Sequence, residues 1–356
     1  MKVDEEQFIG KFISCYLGHS EDKYIRWMAS SGGVVTSILM FMLKEKMMDG
    51  ALVVKMEGLE PKLIIARDPK DLIESMGSKY LSVSFSTKFR DLLKSEGKYA
   101  IVGLPCHIRL IRRVMAKNKG LHKRIILLLG LFCCRVISPL GFKVLLHKLN
   151  VREHEVKEFK FRGCGWPGKL YINLKNGREI SLPFFSYWRP LYSTYFFTPK
   201  SCMFCSDMMN EEADISFGDA WLPKVMKRDR LGSSILVSRT SRAEKILEEA
   251  QKKGFIKLTK IEGKEVIKAQ WRPIFFKKIM LPIRLMLARR ERHNIKLGSI
   301  KLFFGLVCAL IQIANMRFSE SLIGARIIEK LPLKLLLFYA TFQAALEYFS
   351  WRLITG

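Results

Sequence analysis

Cys202 and Cys205 stand in the segment Thr198-Pro-Lys-Ser-Cys-Met-Phe-Cys-Ser-Asp207, a Cys-x-x-Cys spacing that lets two thiolates face one metal centre across a very short loop. Two ligands are half of what a tetrahedral zinc or a 4Fe-4S cluster takes. The rest of the chain offers the other half from two strand–helix units, one cysteine each. Tyr99-Ala-Ile-Val-Gly-Leu-Pro-Cys106 reads as a buried strand ending in Gly-x-Pro-Cys, and His107 to Val114 continues at helical spacing. A cysteine at such a strand-to-helix switch meets free backbone N–H groups that favour its thiolate, whereas a packing cysteine more often lies mid-strand. Arg124 to Phe132 is a second apolar strand, ending in Cys133-Cys134, with Ser138-Pro139 opening the next helix. Consecutive strand–helix units bring both strand ends to one rim of a mostly parallel sheet. Cys106, Cys133, Cys202 and Cys205 then make a set of four, with Cys134 or Cys164 as substitutes for Cys133.

Three other stretches suit an anionic cofactor. Ser30-Ser-Gly-Gly-Val-Val-Thr36 precedes an apolar run of helical period reaching roughly Met48, so Ser31, Gly32, Gly33 and Thr36 sit at a helix N-terminus whose N–H groups suit a phosphate or a flavin oxygen. An ordinary capped helix reads the same way. Lys79, in Gly77-Ser-Lys-Tyr80, is a lone lysine in a polar loop; such a side chain is most often simply solvated. The Gly-rich loop Arg162-Gly-Cys-Gly-Trp-Pro-Gly168 offers Trp166 as a flat indole against a cofactor ring. Asp207 and Asp219 are expected either to orient the cysteine loop or to cap turns. The aromatics of 184–197 are expected to pack as core or to cover a neighbouring subunit.

Around these residues the pattern predicts an α/β (mixed α+β) fold: a largely parallel sheet with flanking helices, an inserted β-hairpin region over about 155–185 with its turn at Asn176-Gly177, and a helical appendage. Residues 1–270 form the main domain and 271–356 a basic helical region. The latter holds fourteen Lys/Arg against four Asp/Glu. Its apolar runs, Leu302 to Met316 and Leu335 to Leu346, fall short of the ~20 residues that cross a bilayer. A basic amphipathic tail lies on an anionic membrane, covers the sheet or docks a partner.

With 356 residues, 49% hydrophobic and 26% charged, the chain is globular. Eight cysteines are too sparse for a secreted disulfide scaffold and indicate a reducing, cytoplasmic setting. The acidic Met1-Lys-Val-Asp-Glu-Glu start lacks the apolar segment of a signal peptide. A net charge of +28 attracts nucleic acid, anionic lipid or an acidic cofactor or partner.

Ser31-Gly-Gly, Gly77-Ser-Lys-Tyr, Val102-Gly-Leu-Pro-Cys, Gly130-Leu-Phe-Cys, the Arg162…Trp166 loop, Cys202-x-x-Cys205-x-Asp207 and Ala213-Asp-Ile-Ser-Phe-Gly-Asp219 occur in that order. Together, over about residues 10–260, they resemble the beta subunit of coenzyme F420 hydrogenase/dehydrogenase, specifically its C-terminal domain. That resemblance implies an iron–sulfur flavoprotein oxidoreductase carrying FAD and one 4Fe-4S cluster on Cys106, Cys133, Cys202 and Cys205. It also implies coenzyme F420 or another anionic two-electron substrate, and an electron-carrier or ferredoxin-like partner protein. Lys79 is then expected to neutralise a flavin phosphate or an anionic substrate. Fuller members carry a further Cys-rich segment upstream, which this chain is expected to lack; Cys15 alone cannot replace it. Similar proteins include reductases of chlorophyll intermediates and proteins linked to polysaccharide assembly, so a degenerate member of a glycan pathway is one alternative. A non-redox zinc protein acting on nucleic acid or a membrane is another, disfavoured because the thiols are dispersed rather than paired in two knuckles.

Overall fold

The computed structural model describes residues 5–288 and 298–355. The strands are five to eight residues long. In chain order these are β1 (Ser14–Ser20), β2 (Gly50–Glu57), β3 (Glu60–Ala66), β4 (Tyr99–Gly103), β5 (Ile125–Leu131), β6 (Val156–Lys160), β7 (Lys169–Leu174), β8 (Glu179–Pro183), β9 (Ile215–Asp219), β10 (Ser234–Ser238) and β11 (Ile256–Ile261). They are apolar through most of β2, β4 and β5 and alternate apolar with polar in β6 to β8. Eight of them make one sheet, ordered β11-β1-β10-β9-β5-β4-β2-β3. Its centre, β9-β5-β4-β2, is parallel. The outer strands β3, β10, β1 and β11 join antiparallel. The expected α/β architecture is present, with parallel pairing where helices cover both faces and the strands run continuously apolar.

The inserted hairpin region is a separate antiparallel sheet, β6-β7-β8, turned at Asn176-Gly177 as expected. Its inner face packs with the aromatic helix Phe184–Tyr192, whose Phe184, Tyr187 and Tyr192 are buried with Phe159 and Phe161. The aromatic stretch is therefore core.

Two helices dominate the C-terminal region, Ser299–Glu320 and Leu333–Thr355, joined through Leu322–Lys330. They run longer than the apolar runs marked out in the sequence, because polar residues continue each helix beyond its apolar stretch. By length and composition Ser299–Glu320 is long enough and apolar enough to cross a membrane, which corrects the shorter span expected from the apolar run alone. The region packs onto the main domain: Arg284 donates from Nε to the Met203 carbonyl (3.0 Å) and Arg272 to the Ser193 carbonyl (2.8 Å).

Candidate functional site

The carboxyl ends of β4, β5 and β9 lie on one rim, since the three strands are parallel and adjacent. β4 runs directly into the helix Pro105–Lys117, which places Cys106 in the first turn of that helix. β5 ends at Leu131, and Cys133 follows in a loop whose backbone N–H is held by the Met208 carbonyl (3.0 Å). Cys202 lies in the short helix Lys200–Met203 and Cys205 just after it. The chain then crosses both strand ends through Asn210. Its Nδ2 donates to the carbonyls of Gly103 (2.8 Å) and Leu131 (3.2 Å), tying the cysteine loop to β4 and β5 together.

Cys106 and Cys133 feel the neighbouring thiols. The Cys106 side chain reaches the surface, yet partial desolvation pushes its thiol up, and negative charge on Cys205 or Cys202 pushes the same way. Burial also raises Cys133 far above its ordinary value; Lys277 opposes this, while Cys202, Cys134 and Cys106 add to it. Lys277, itself buried, donates to the Cys202 carbonyl (3.2 Å). Burial disfavours its charge, while negative charge on Cys205, Cys133, Cys134 and Cys202, when they are thiolates, favours it, and the balance lies upward. Cys134 turns toward an apolar cluster of Tyr195, Met203, Phe276 and Met316 and accepts from Arg135 (3.4 Å). Cys164 lies on the Gly-rich loop, away from the rim thiols' own loops. Among the described residues, no three His, Cys, Asp or Glu side chains are gathered tightly enough to ligate a single ion.

Farther along the same rim stands the Ser30–Gly33 turn. β10 runs antiparallel to β9, so Ser234 faces Asp219, and Gly18 of β1 faces Ser234. Ser31 and Gly32 are spent on this edge rather than open to a ligand. The Ser31 hydroxyl donates to the Ser233 carbonyl (2.8 Å) and the Gly32 N–H to Ser234 Oγ (3.0 Å). A Cβ on Gly32 would stand 2.5 Å from the Gly18 carbonyl oxygen, so only glycine fits. Gly33, at φ 76°, starts the helix Val34–Lys44 without a side-chain cap. The first helical bond is made by Ser37 to Gly33, so the N–H groups of Val34, Val35 and Thr36 precede it.

The other two loops reach the turn. Ser78 N–H donates to Ser30 Oγ (2.8 Å), and Gly77 approaches the Arg162 carbonyl. Lys79 is partly buried rather than free in solvent: its ammonium donates to the carbonyls of Ser75 and Met76, and burial, with Lys160 nearby, pushes it down to about 7. Trp166 does not form an open cofactor wall. Its ring is buried against Trp221 (centroids 4.8 Å apart) and its N–H donates to Asp219 Oδ1 (3.0 Å). Asp219 in turn holds the buried Arg162 guanidinium with both oxygens (2.8 and 3.0 Å). It thus anchors the Gly-rich loop rather than the cysteine loop. Asp207 serves the latter, capping the turn that follows Cys205 by accepting from Glu211 N–H (3.3 Å).

Two family models match the chain, both describing the beta subunit of coenzyme F420 hydrogenase/dehydrogenase. The model of its N-terminal part covers residues 15–89, and that of its C-terminal part covers residues 96–264. The chain belongs to this family. Among its relatives, the coenzyme F420 hydrogenase beta chain of Methanococcus voltae is 25% identical over 71% of this chain and 86% of its own length. The coenzyme F420-dependent sulfite reductase of Methanocaldococcus jannaschii is 29% identical over 65% of this chain and 36% of its own length. In the F420-reducing [NiFe] hydrogenase complex from Methanosarcina barkeri, one chain has the same fold. It superposes with a TM-score of 0.62 at 20% identity, covering 81% of this chain and 97% of that one. The named relatives are oxidoreductases, and this beta-type chain is one by family.

Sequence reasoning passed over Asn210, Arg162 as an ion-pair partner, and Lys277. Gly130 was a usable signal for the first. A glycine interrupting the apolar run of β5 marks a close approach, and a Cβ there would fall 2.4 Å from Asn210 Cγ. Lys277 gave no signal, being one of many basic residues in the tail.

Proposed function

We propose that this chain moves electrons between a 4Fe-4S cluster held by Cys106, Cys133, Cys202 and Cys205, an FAD, and coenzyme F420 or a similar anionic two-electron substrate. The observation that carries the reading is the convergence of four thiols from three distant segments on one rim. The donor set fits. A cubane spreads its four thiolates over four irons, so it does not need the tight gathering that one zinc ion does. Lys277 supplies a fixed positive charge beside an assembly that is net anionic when loaded.

The uncapped N-terminus of Val34–Lys44, with Thr36 in its first turn, offers N–H groups to a flavin phosphate or ring oxygen. Ser31 and Gly32 serve it indirectly, by fixing the turn on β10. Lys79 follows Ser78, whose N–H bonds to Ser30 of the same turn, and a phosphate bound near its ammonium would draw its proton back. β10 and β5 are separated only by β9, about 10 Å between strand axes, so turn and thiols are near neighbours on the rim. When bound, a flavin exchanges two electrons with a hydride carrier and a cluster exchanges one, so the pair joins one-electron and two-electron partners. The protein's own part is to hold both groups dry and in fixed relation. An electron-carrying partner protein at the cluster side belongs to the same proposal.

Anaerobic purification tests it. The expected result is a brown protein with about four irons and matching sulfide per chain, releasable FAD, and reduction of added F420. Zinc without iron, or failure to bind flavin after reconstitution, refutes it.

A further inference from the structure

We infer that the outer face of the Ser299–Glu320 and Leu333–Thr355 helices seats the protein on an anionic membrane surface. This is independent of the redox reading. The pair is built inside-out. Gln312, Asn315 and Ser319 of the first helix and Gln343, Glu347 and Ser350 of the second are all buried. They bond across the pair: Gln312 Nε2 donates to Glu347 Oε1 (2.9 Å) and Asn315 Nδ2 to Gln343 Oε1 (3.1 Å). Arg284 donates to the neutral amide oxygen of Gln312 (2.7 Å) and Arg272 forms an ion pair with Glu347 (2.8 Å), so the inward polar groups are hydrogen-bonded.

The large apolar side chains point the other way. Phe303 and Leu310 on one helix and Phe338, Phe342 and Phe349 on the other are exposed, Phe338 to 76%. The two faces are continuous, because Phe304 touches both Phe303 (ring centroids 5.5 Å) and Phe349 (5.0 Å). Only a third of the most apolar stretch of Ser299–Glu320 is buried inside the protein. On the short connecting helix Leu322 and Ile323 are exposed to 72% and 73%. A helix facing water shows the opposite pattern, with its apolar stripe inward. Polar residues inward and aromatic and aliphatic residues outward is the arrangement that lipid imposes.

Charge selects the occupant. Arg317, Arg326, Lys330, Lys334 and Arg352 are exposed at or near the ends of these helices, against an exposed Glu320. An anionic bilayer presents an apolar layer and a negative surface in the same order, matching apolar face and basic rim together. The inner face of the pair stays on the protein, where Leu333–Thr355 packs on Phe184–Tyr192. The helices therefore lie in the interface without crossing it.

The test is flotation of the full chain with vesicles of phosphatidylcholine, with and without phosphatidylglycerol. Expected is recovery with the phosphatidylglycerol vesicles and weaker recovery with neutral ones. Phe338→Glu with Phe342→Glu should lower partitioning by at least about tenfold, and Lys334→Glu with Arg352→Glu should remove the preference for anionic lipid. All four side chains are exposed, so unchanged thermal unfolding of the variants shows that the fold is kept. Failure to float with either vesicle overturns the inference. So does a stable dimer or complex with another protein that the phenylalanine substitutions dissociate, since that gives the face to a protein partner.

Discussion

Asp219→Ala is the substitution with the most to say about how this rim is held. The Arg162 side chain is 1% exposed, and its charge is answered by both oxygens of Asp219. The rest of its environment is a Pro167 carbonyl (2.9 Å), the Tyr80 hydroxyl (3.3 Å), and the faces of Phe184 and Trp221. Those neighbours orient a guanidinium but do not neutralise it. Breaking a buried pair by removing one partner costs about 3–5 kcal/mol, because the remaining charge stays uncompensated. The Trp166 N–H loses its acceptor in the same change, about 1–3 kcal/mol in isolation. The two losses share one carboxylate and are not additive, so about 4 kcal/mol is expected. Urea unfolding of the cofactor-free protein, followed by tryptophan fluorescence, reads it directly, since Trp166 and Trp221 lie ring against ring at the pair, tilted by 31°. The double variant Arg162→Met with Asp219→Leu removes both charges and should recover most of the loss, to within about 1–2 kcal/mol of wild type. A single-variant loss below about 1 kcal/mol, or a double variant as unstable as the single, refutes the account of a charge stranded in the interior.

Four further outcomes are expected. Serine at Cys106, Cys133, Cys202 or Cys205 should each strip most of the iron from anaerobically reconstituted protein, while Cys164→Ser and Cys308→Ser leave iron content unchanged; iron analysis decides, and an iron-free Cys164→Ser would move the ligand set. Asn210→Ala leaves the Gly103 and Leu131 carbonyls without their shared donor and should cost about 2–3 kcal/mol in urea unfolding. Gly130→Ala should mimic it by driving a methyl group into the Asn210 side chain, and a neutral Gly130→Ala contradicts that packing. Lys79, at about 7 in the folded protein, lies below its unfolded value, so between the two the unfolded chain holds one more proton and stability rises with pH. That group alone should add up to about 1.4 kcal/mol per pH unit above pH 7 in the cofactor-free protein, and Lys79→Met should flatten the rise; identical slopes would mean a solvated ammonium.

What could be read from the chain was local and periodic. β4 and β5 are apolar runs broken by Gly and closed by cysteine, so both the strands and the rim position of Cys106 and Cys133 followed from spacing. The hairpins of β6 to β8 followed from alternation and an Asn-Gly turn. The antiparallel flank of β1, β10 and β11 did not, because nothing in Ser14–Ser20 says that it pairs with residues more than two hundred positions away. The same limit hid the roles of Ser31 and Gly32: a serine-glycine turn before a helix looks like a ligand cradle until the strand that takes up its hydrogen bonds is known. Trp166 looked available for the same reason, with Asp219 and Trp221 over fifty residues downstream. In the C-terminal helices the apolar residues were counted correctly, but which way they pointed depends on Arg272 and Arg284 drawing Glu347 and Gln312 inward.

The long sequence separation of the rim thiols has a consequence for biogenesis. Cys106 and Cys133 take their places only once β4, β5 and β9 have paired, and β9 is made more than eighty residues after β5. A nascent chain therefore offers metal nothing better than the lone Cys202–Cys205 bite, unlike a zinc finger, whose ligands are neighbours and whose folding the ion itself drives. On the proposed cluster reading, loading would be a final maturation event performed on an already folded recipient, and chelators should leave behind an intact, refillable shell.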